Sequence, residues 1–288
     1  MADVMEMIGG YRLRNLLQSG QTSQVFEVVE PTSNRHFAMK LLLPEAANKL
    51  EHRNILFNEA EVGEKLTHQN VIRIFKVNRS PTTPHFIMEF FPAGSLRLRL
   101  QAKEMGFIKE NARKIFKNTA TGLAYMNAMG YVHRDVKPDN ILVNALGETK
   151  IIDFAITKKI PKGIARWFHR KGKPQGTPSF MSPEQINDEI PDARADIYSY
   201  GCTLFELTTG RPPFRGSSTN DLLSRHFKEK PAPPSAYNPD ITDEFSQFVL
   251  KLLAKKKTDR PSNFHEVLIA MKKVRQIFKS VPEKREEV

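Results

Sequence analysis

The stretch that decides the fold reads Val132-His-Arg-Asp-Val-Lys-Pro-Asp-Asn-Ile-Leu142, and the pair Asp153-Phe154 follows eleven residues after its end. Six ionisable or amide side chains fall within eight positions of this stretch, between apolar flanks. A third motif, Gly176-Thr-Pro-Ser-Phe-Met-Ser-Pro-Glu184, lies farther along the chain. Any one of these polar residues alone would be interpreted as a surface charge. Their joint occurrence in this order indicates a site that carries chemistry.

Strand-like alternation dominates the residues that precede this stretch. It predicts strands near 11–16, 25–29, 36–42, 71–77 and 85–90, with turn clusters at 18–23 and 31–34. One segment, about 53–67, has helical spacing instead. The pattern therefore predicts a small antiparallel sheet with one main helix.

Helical spacing dominates the chain after a hinge at about 89–94. It predicts helices over 95–103, 110–130, 193–210, 219–228, 242–254 and 263–279, with short strands near 141–143 and 149–152. The expected fold class is α+β and bilobal, with an N-lobe at about 10–91 and a larger helical C-lobe at about 92–280. The tail, 281–288, is expected to fray.

The composition is that of a globular protein. The 288 residues are 40% hydrophobic and 26% charged, which excludes a disordered chain, a collagen-like repeat and a coiled coil. No apolar run approaches the ~18–20 residues that span a bilayer, and the first residues carry no export signal. The only cysteine, Cys202, excludes an internal disulfide and favours a reducing compartment. A cytoplasmic protein is expected.

The net charge of +12 is unevenly distributed. Residues 1–91 carry 10 basic and 10 acidic side chains, whereas 154–183 hold seven basic residues and no acidic one. Such a run indicates an anionic partner, namely nucleic acid, an anionic surface or an acidic substrate. A solvated face is the alternative interpretation. Nucleic acid is not expected, because Trp167-Phe168 is the only aromatic pair in the run. The seven residues are Lys158, Lys159, Lys162, Arg166, Arg170, Lys171 and Lys173.

The three motifs, in this order and spacing, resemble those of the eukaryotic-type Ser/Thr protein kinases, most closely the bacterial members. The resemblance covers about residues 10–280. It implies the bilobal protein-kinase fold and transfer of the ATP γ-phosphate to a protein hydroxyl with Mg²⁺. An ATP-binding pseudokinase or scaffold with little or no transfer activity is the alternative, and a nucleic-acid-binding module is a third hypothesis.

The resemblance also implies roles for the residues of the central stretch. Asp135 falls where the family places its catalytic base, and a carboxylate can accept the hydroxyl proton without adding a cation to be displaced. Lys137 would steady the transferred phosphate. Asn140 and Asp153 would be the Mg²⁺ ligands, since this hard cation takes only one or two protein carboxylates when it bridges phosphates.

A lysine of the N-lobe completes the catalytic set that the family implies. Lys40 would grip the α- and β-phosphates of ATP and pair with a glutamate of the main helix. Glu59 fits the family spacing best, and Glu61 and Glu64 are the alternatives.

The nucleotide pocket that the resemblance implies is apolar, with backbone hydrogen bonds at one edge. Its residues comprise four that sandwich the adenine, a gatekeeper, two at the hinge backbone and one in the Gly-rich loop. In that order they are Leu17, Val25, Ala38 and Leu142, then Met88, then Glu89 and Phe91, then Gly20.

Four positions depart from the family pattern. The Gly-rich loop keeps only Gly20, since Gln18 and Ser23 stand where the other glycines are usual, which puts nucleotide affinity or loop closure in doubt. Ala155 replaces a glycine and would be strained if its φ were positive. Gly63 replaces a bulky residue and is expected to leave a gap. None of these changes removes a catalytic group.

Five further residues are expected to support the structure. By resemblance, Arg260 pairs with Glu184, Asp196 anchors the backbone of the central stretch, and Thr177 positions the base. Cys202 lies in an apolar helical pattern and is expected in the core.

The basic run coincides with the activation segment of the resembling kinases. In those kinases the arginine at the position of Arg134 commonly binds a phosphate on the activation segment. In this chain, however, residues 158–174 contain no Ser, Thr or Tyr. The hypothesis is that the segment is ordered without phosphorylation, or that an external anion or acidic partner meets its charges. A preference for acidic substrates is expected. The sequence predicts no oligomeric state.

Overall fold

The computed structural model describes residues 7–160, 174–190 and 192–279. Its N-lobe is a six-stranded antiparallel sheet with the strand order β1-β2-β3-β4-β6-β5. The strands are β1 (Met7–Ile8), β2 (Tyr11–Ser19), β3 (Ser23–Glu30), β4 (Arg35–Leu42), β5 (Ile74–Asn78) and β6 (His85–Glu89). Between β4 and β5 lie α1 (Pro44–Ala47) and the main helix α2 (Leu50–Glu64).

Helices make up most of the C-lobe, which also contains two small antiparallel pairs, β7 with β10 and β8 with β9. The helices are α3 (Leu96–Gln101), α4 (Met105–Ala128), α5 (Pro183–Ile186), α6 (Ala193–Thr209), α7 (Thr219–Lys228), α8 (Asp243–Leu252) and α9 (Phe264–Lys273). The short strands are β7 (Tyr131–Val132), β8 (Ile141–Val143), β9 (Thr149–Ile151) and β10 (Lys158–Lys159). This arrangement confirms the predicted α+β bilobal fold class.

The core of the C-lobe forms around α6. Side chains from Ala195 to Thr208 are all buried along this helix, because α4, α8 and α9 pack around it. Asp192 caps its N-terminus by accepting a hydrogen bond from the amide of Arg194, and Gly210 ends it in the left-handed conformation (φ 73°). Cys202 lies in this core, as predicted. Within the described ranges, no helix combines the length and apolar character that crossing a membrane requires.

The predicted gap at Gly63 is not present. A Cβ at this position would lie 2.3 Å from Cδ1 and 2.6 Å from Cγ1 of Ile74. Ile74 of β5 therefore fills the space beside α2 that a larger side chain at position 63 would take, and the expectation of a gap was wrong.

Several element ends differ from the sequence prediction. The predicted helix over 263–279 ends at Lys273, because the chain then turns so that Phe278 forms a β-bridge with Ile241. The strand predicted near 71–77 begins at Ile74, and Val71 instead bridges Ile151. Five of the seven basic residues of the predicted run, Trp167-Phe168 and the tail over 281–288 lie outside the described residues.

Candidate active site

The loop between β7 and β8 contains the central stretch of the sequence, and Asp196 of α6 holds its backbone. The Asp196 carboxylate, which is fully buried, accepts hydrogen bonds from the amides of His133 (2.9 Å) and Arg134 (2.8 Å). Arg134 adopts a left-handed backbone (φ 71°), which is costly for a residue with a side chain. These bonds keep the loop in a conformation that the isolated chain would not favour.

Both oxygens of the Asp135 carboxylate are held by neighbouring donors. Its Oδ1 accepts hydrogen bonds from the amide (3.0 Å) and the hydroxyl (2.8 Å) of Thr177. Its Oδ2 lies 2.6 Å from Nζ of Lys137 and 3.1 Å from Nδ2 of Asn140. Lys137 also donates to the Thr177 hydroxyl (2.6 Å). This carboxylate is oriented so that it can receive a proton from a hydroxyl placed beside it.

Lys40 of β4 and Glu59 of α2 form a buried ion pair. The Lys40 ammonium donates to both carboxylate oxygens of Glu59, at 2.8 and 2.6 Å, and lies 3.9 Å from Asp153. Of the two alternatives, Glu61 pairs with Lys65 and Glu64 is exposed. The structure therefore places Glu59 beside the lysine.

Burial affects the pKa values of both residues of this pair. It raises the pKa of Glu59 to about 7, against the attraction of the Lys40 ammonium. Burial alone would lower the pKa of Lys40, but the carboxylates of Glu59 and Asp153 together raise it. Lys40 consequently remains a cation that can bind phosphate oxygens.

The residue near Ala155 that adopts a left-handed backbone conformation is Asp153. Its φ is 68°, and its Oδ1 accepts a hydrogen bond from the amide of Ala155 (3.2 Å). Since Ala155 is not among the described residues with positive φ, alanine costs no backbone strain there. Burial would raise the pKa of Asp153, but Lys40 and the Ala155 amide outweigh burial and lower it. An ionised carboxylate results.

Asn140 and Asp153 offer two oxygen donors for a divalent cation. Nδ2 of Asn140 donates to the carbonyl and Oδ2 of Asp135 (2.9 and 3.1 Å), which leaves its Oδ1 as the available ligand atom. The Asn140 carbonyl accepts from the amide of Ile152, which brings Asp153 alongside. The described residues hold no group of three or more potential His, Cys, Asp or Glu ligands. These two donors fit a hard cation whose other ligands are phosphate oxygens and water.

The residues of the predicted nucleotide pocket lie on the N-lobe sheet, on the segment that follows it and on β8 of the C-lobe. Ala38 of β4 pairs with Met88 of β6, and Val25 of β3 pairs with Lys40. Leu142 lies on β8, Glu89 ends β6 just before Phe91, and Leu17 is exposed on β2. The amide of Gly20 donates to the Ser23 carbonyl (2.9 Å), so the turn between β2 and β3 closes tightly at the one retained glycine.

A second buried ion pair supports the segment that carries Thr177. Arg260 donates to both oxygens of Glu184, at 2.6 and 3.0 Å, as the sequence predicted, and also to three backbone carbonyls. Gln185, which the sequence analysis missed, donates to the carbonyls of Arg134 (2.6 Å) and Gln175 (2.7 Å). Only its position after Glu184 could have singled it out.

Arg134 keeps unfilled hydrogen-bonding capacity. It is 4% exposed, its Nη1 makes long contacts with the Ile156 carbonyl (3.3 Å) and Gln175 (3.4 Å), and its Nε has no partner among the described residues. Thr157 beside it is buried and donates to the His133 carbonyl. This buried cation therefore contacts a residue just before the basic run and a residue just after it.

The protein kinase domain model matches residues 11–274. The chain belongs to the protein kinase family. A probable serine/threonine-protein kinase of Corynebacterium efficiens is 32% identical over 258 residues, which cover 87% of this chain and 39% of the relative. Serine/threonine-protein kinase PksC of Streptomyces coelicolor is 32% identical over 88% of this chain and 46% of its own length. PknB of Mycobacterium tuberculosis is 30% identical, with 87% and 40% covered.

This kinase domain spans less than half the length of these relatives. The predicted resemblance to bacterial serine/threonine kinases is confirmed. Members of the family take a phosphoryl group from ATP with the help of divalent cations and transfer it to proteins.

Proposed function

We propose that this kinase domain transfers the γ-phosphate of ATP to a serine or threonine hydroxyl of a protein, with Mg²⁺ as the cation. The observation that best supports this function is that Thr177 and Lys137 hold the two carboxylate oxygens of Asp135, while Lys40 and Glu59 already form an ion pair. Phosphoryl transfer depends mainly on such positioning and on charge neutralisation.

In this mechanism the substrate hydroxyl oxygen forms a bond to the γ-phosphorus. The bond from that phosphorus to the oxygen bridging to the β-phosphate breaks, and ADP leaves. Asp135 orients the hydroxyl and receives its proton. Lys137, 2.6 Å from Asp135, is placed to neutralise charge on the transferred group.

The nucleotide is held by groups from both lobes. Lys40, kept in place by Glu59, binds the α- and β-phosphates. Asn140 and Asp153 would hold Mg²⁺, which neutralises the phosphate charge when bound. The adenine lies against the apolar pocket, with the gatekeeper at its back and the hinge backbone at its edge. The pocket residues are Leu17, Gly20, Val25, Ala38, Met88, Glu89, Phe91 and Leu142.

Radiolabelled transfer to a generic protein substrate tests this function, with nucleotide affinity measured in parallel. Wild type should transfer phosphate, whereas Asp135→Asn and Lys40→Met should lose at least about 100-fold in rate. Lys76→Met removes an exposed lysine of β5 and serves as the matched control. Nucleotide binding without transfer by wild type would instead establish a pseudokinase.

We also propose that an acidic partner or substrate meets the basic run. The acidic partner is supported by Nε of Arg134, which is buried and has no hydrogen-bond partner among the described residues. Control without loop phosphorylation is supported by Thr157 and Thr177, whose hydroxyls are both engaged inside the protein. Matched acidic and basic peptides test the preference, and equal use of both would refute it. A stoichiometric phosphate on Thr157 or Thr177 that activity requires, found by mass mapping, would refute control without loop phosphorylation.

The single cysteine supports a reducing, cytoplasmic location. Cys202 is buried, and burial raises the pKa of its thiol, so it is neither a disulfide partner nor a nucleophile. Fractionation of cells that produce the protein tests the location.

A further inference from the structure

Arg97 of α3 uses all three of its guanidinium nitrogens on two carboxylates. Nη1 and Nη2 donate to the two oxygens of Glu206, at 2.8 and 3.0 Å, and Nε donates to Asp139 at 3.1 Å. The bidentate geometry toward Glu206 is the arrangement that makes arginine–carboxylate pairs strong and directional. Neither Arg97 nor its partners took part in the mechanism above.

This cluster includes a residue of the loop that carries Asp135. Asp139 belongs to a one-turn 3₁₀ helix, Pro138–Asn140, inside the loop that carries Asp135. Four residues of chain span at most about 14 Å, so the Asp139 carboxylate is within reach of a substrate segment whose hydroxyl is at Asp135. The side chain of Asp139 is 43% exposed and that of Arg97 is 25% exposed, so the cluster opens to solvent.

The charge of the cluster depends on Arg97. Without it, Glu206 and Asp139 would present two carboxylates, one of them only 9% exposed, next to the acceptor site. Such a pair matches a guanidinium in charge and in hydrogen-bonding geometry. With Arg97 in place, that role is already filled from within the protein.

We infer that Arg97 determines substrate specificity by occupying the two carboxylates that would otherwise bind a basic side chain of the substrate. The inference rests on the proposed function and narrows its substrate class to segments without a required arginine or lysine on this side of the acceptor hydroxyl. It is independent of the basic run, since none of its residues belongs to that segment.

A peptide panel tests the inference. One serine peptide is compared with versions that carry a single arginine at each of five positions on either side of the serine, and the ratio of kcat/KM to the alanine version is measured. Wild type should give ratios of about one or below. Arg97→Met, which keeps a similar apolar stem, should raise the ratio about tenfold at one or two neighbouring positions.

The same helix offers a matched control. Arg99→Met removes another α3 arginine, which pairs with Glu104 and stacks on Phe107, and it should leave every ratio unchanged. Adding Glu206→Gln to Arg97→Met should cancel the gain. Arg97→Gln serves as a second variant if Arg97→Met does not fold.

Binding separates this inference from the proposed function. In the Asp135→Asn background, fluorescence anisotropy of labelled arginine and alanine peptides needs no phosphoryl transfer. Arg97→Met should tighten binding of the arginine peptide about tenfold at low salt, and added salt should reduce the gain. Unchanged ratios in both assays, or a wild-type preference for arginine at these positions, would show that Arg97 only ties α3 to α6. Failure of transfer with a retained binding gain would reject the proposed function alone.

Discussion

The side chain of Ile74 occupies the place that a side chain at Gly63 would need, with its Cδ1 2.3 Å from the Cβ position of residue 63. The two residues are on different elements, α2 and β5, and the volume missing from the helix is supplied by the strand. Close packing at the Glu59 helix is therefore kept even though the helix itself carries a glycine.

Gly63→Ala should destabilise the protein by about 1–2 kcal/mol. The added methyl overpacks against a stiff β-branched side chain, and this cost exceeds the helix-propensity gain of up to ~1 kcal/mol. Denaturant unfolding measures the effect. In a double-mutant cycle with Ile74→Ala, the double variant should lose less than the sum of the single losses. Gly106→Ala, whose Cβ would meet nothing within 4 Å, is the control and should cost nothing.

Glu59→Gln should lower kcat/KM for ATP by about 10–100-fold, because the Lys40 ammonium loses the charge that positions it. Steady-state kinetics at saturating peptide measure this loss. Glu61→Gln alters an exposed glutamate of the same helix and should stay within about twofold of wild type. Equal losses in the two variants would contradict a specific role for the Lys40–Glu59 pair.

Arg260→Met should cost about 3–5 kcal/mol of folding free energy, since it leaves Glu184 buried and unpaired. Thermal unfolding should show the midpoint falling by roughly 6–15 °C. Arg194→Met breaks a partly exposed pair with Asp192 and should cost no more than about 1 kcal/mol. Activity of Arg260→Met per folded molecule, measured well below its Tm, should fall far less than that of Asp135→Asn, because Arg260 touches no reacting group.

The free energy of unfolding should rise with pH above about 8 because of Lys255. Its ammonium donates to the His226 carbonyl (2.8 Å) and lies 4.1 Å from the Phe214 ring centroid, and burial lowers its pKa to about 8. Between pH 8 and the ordinary lysine pKa of about 10.5, the unfolded chain holds a proton that the folded protein has released. The free energy of unfolding therefore increases with pH in this window.

Comparison with Lys255→Met isolates this contribution. The Tm of wild type minus that of the variant should become more positive from pH 7 to 9.5. Lys256→Met, at the exposed neighbouring position, should run parallel to wild type. Parallel curves for all three proteins would contradict the lowered pKa.

The sequence predicted most of the fold because its motifs and alternation patterns are local. Lys40, Glu59, Asp135 and Asp153 could be selected because their order and spacing resemble the motifs of the protein kinase family, and the structure pairs Lys40 with Glu59 and places it 3.9 Å from Asp153. The end of α9 at Lys273 could not be predicted, since it depends on where the following chain packs.

Contacts between residues that are far apart in the sequence could not be predicted. Arg97 and Glu206 are 109 positions apart, and no local pattern marks them as partners. Gly63 was expected to leave a gap because nothing in the sequence places Ile74 against it. The strain that a positive φ would have caused at Ala155 does not arise, because the positive φ is at Asp153, where tertiary contacts rather than residue type set the backbone torsions.

The hydrogen bonds to the Asp196 carboxylate couple the conformation of the loop that carries Asp135 to the folding of the C-lobe core. Asp196 belongs to a helix buried from Ala195 to Thr208, so the amides of His133 and Arg134 cannot lose their acceptor until that helix is displaced. Heat inactivation should accordingly be abrupt, with turnover persisting up to the temperature at which the interior melts and vanishing with it. On heating, the loss of activity therefore marks the unfolding of the C-lobe core.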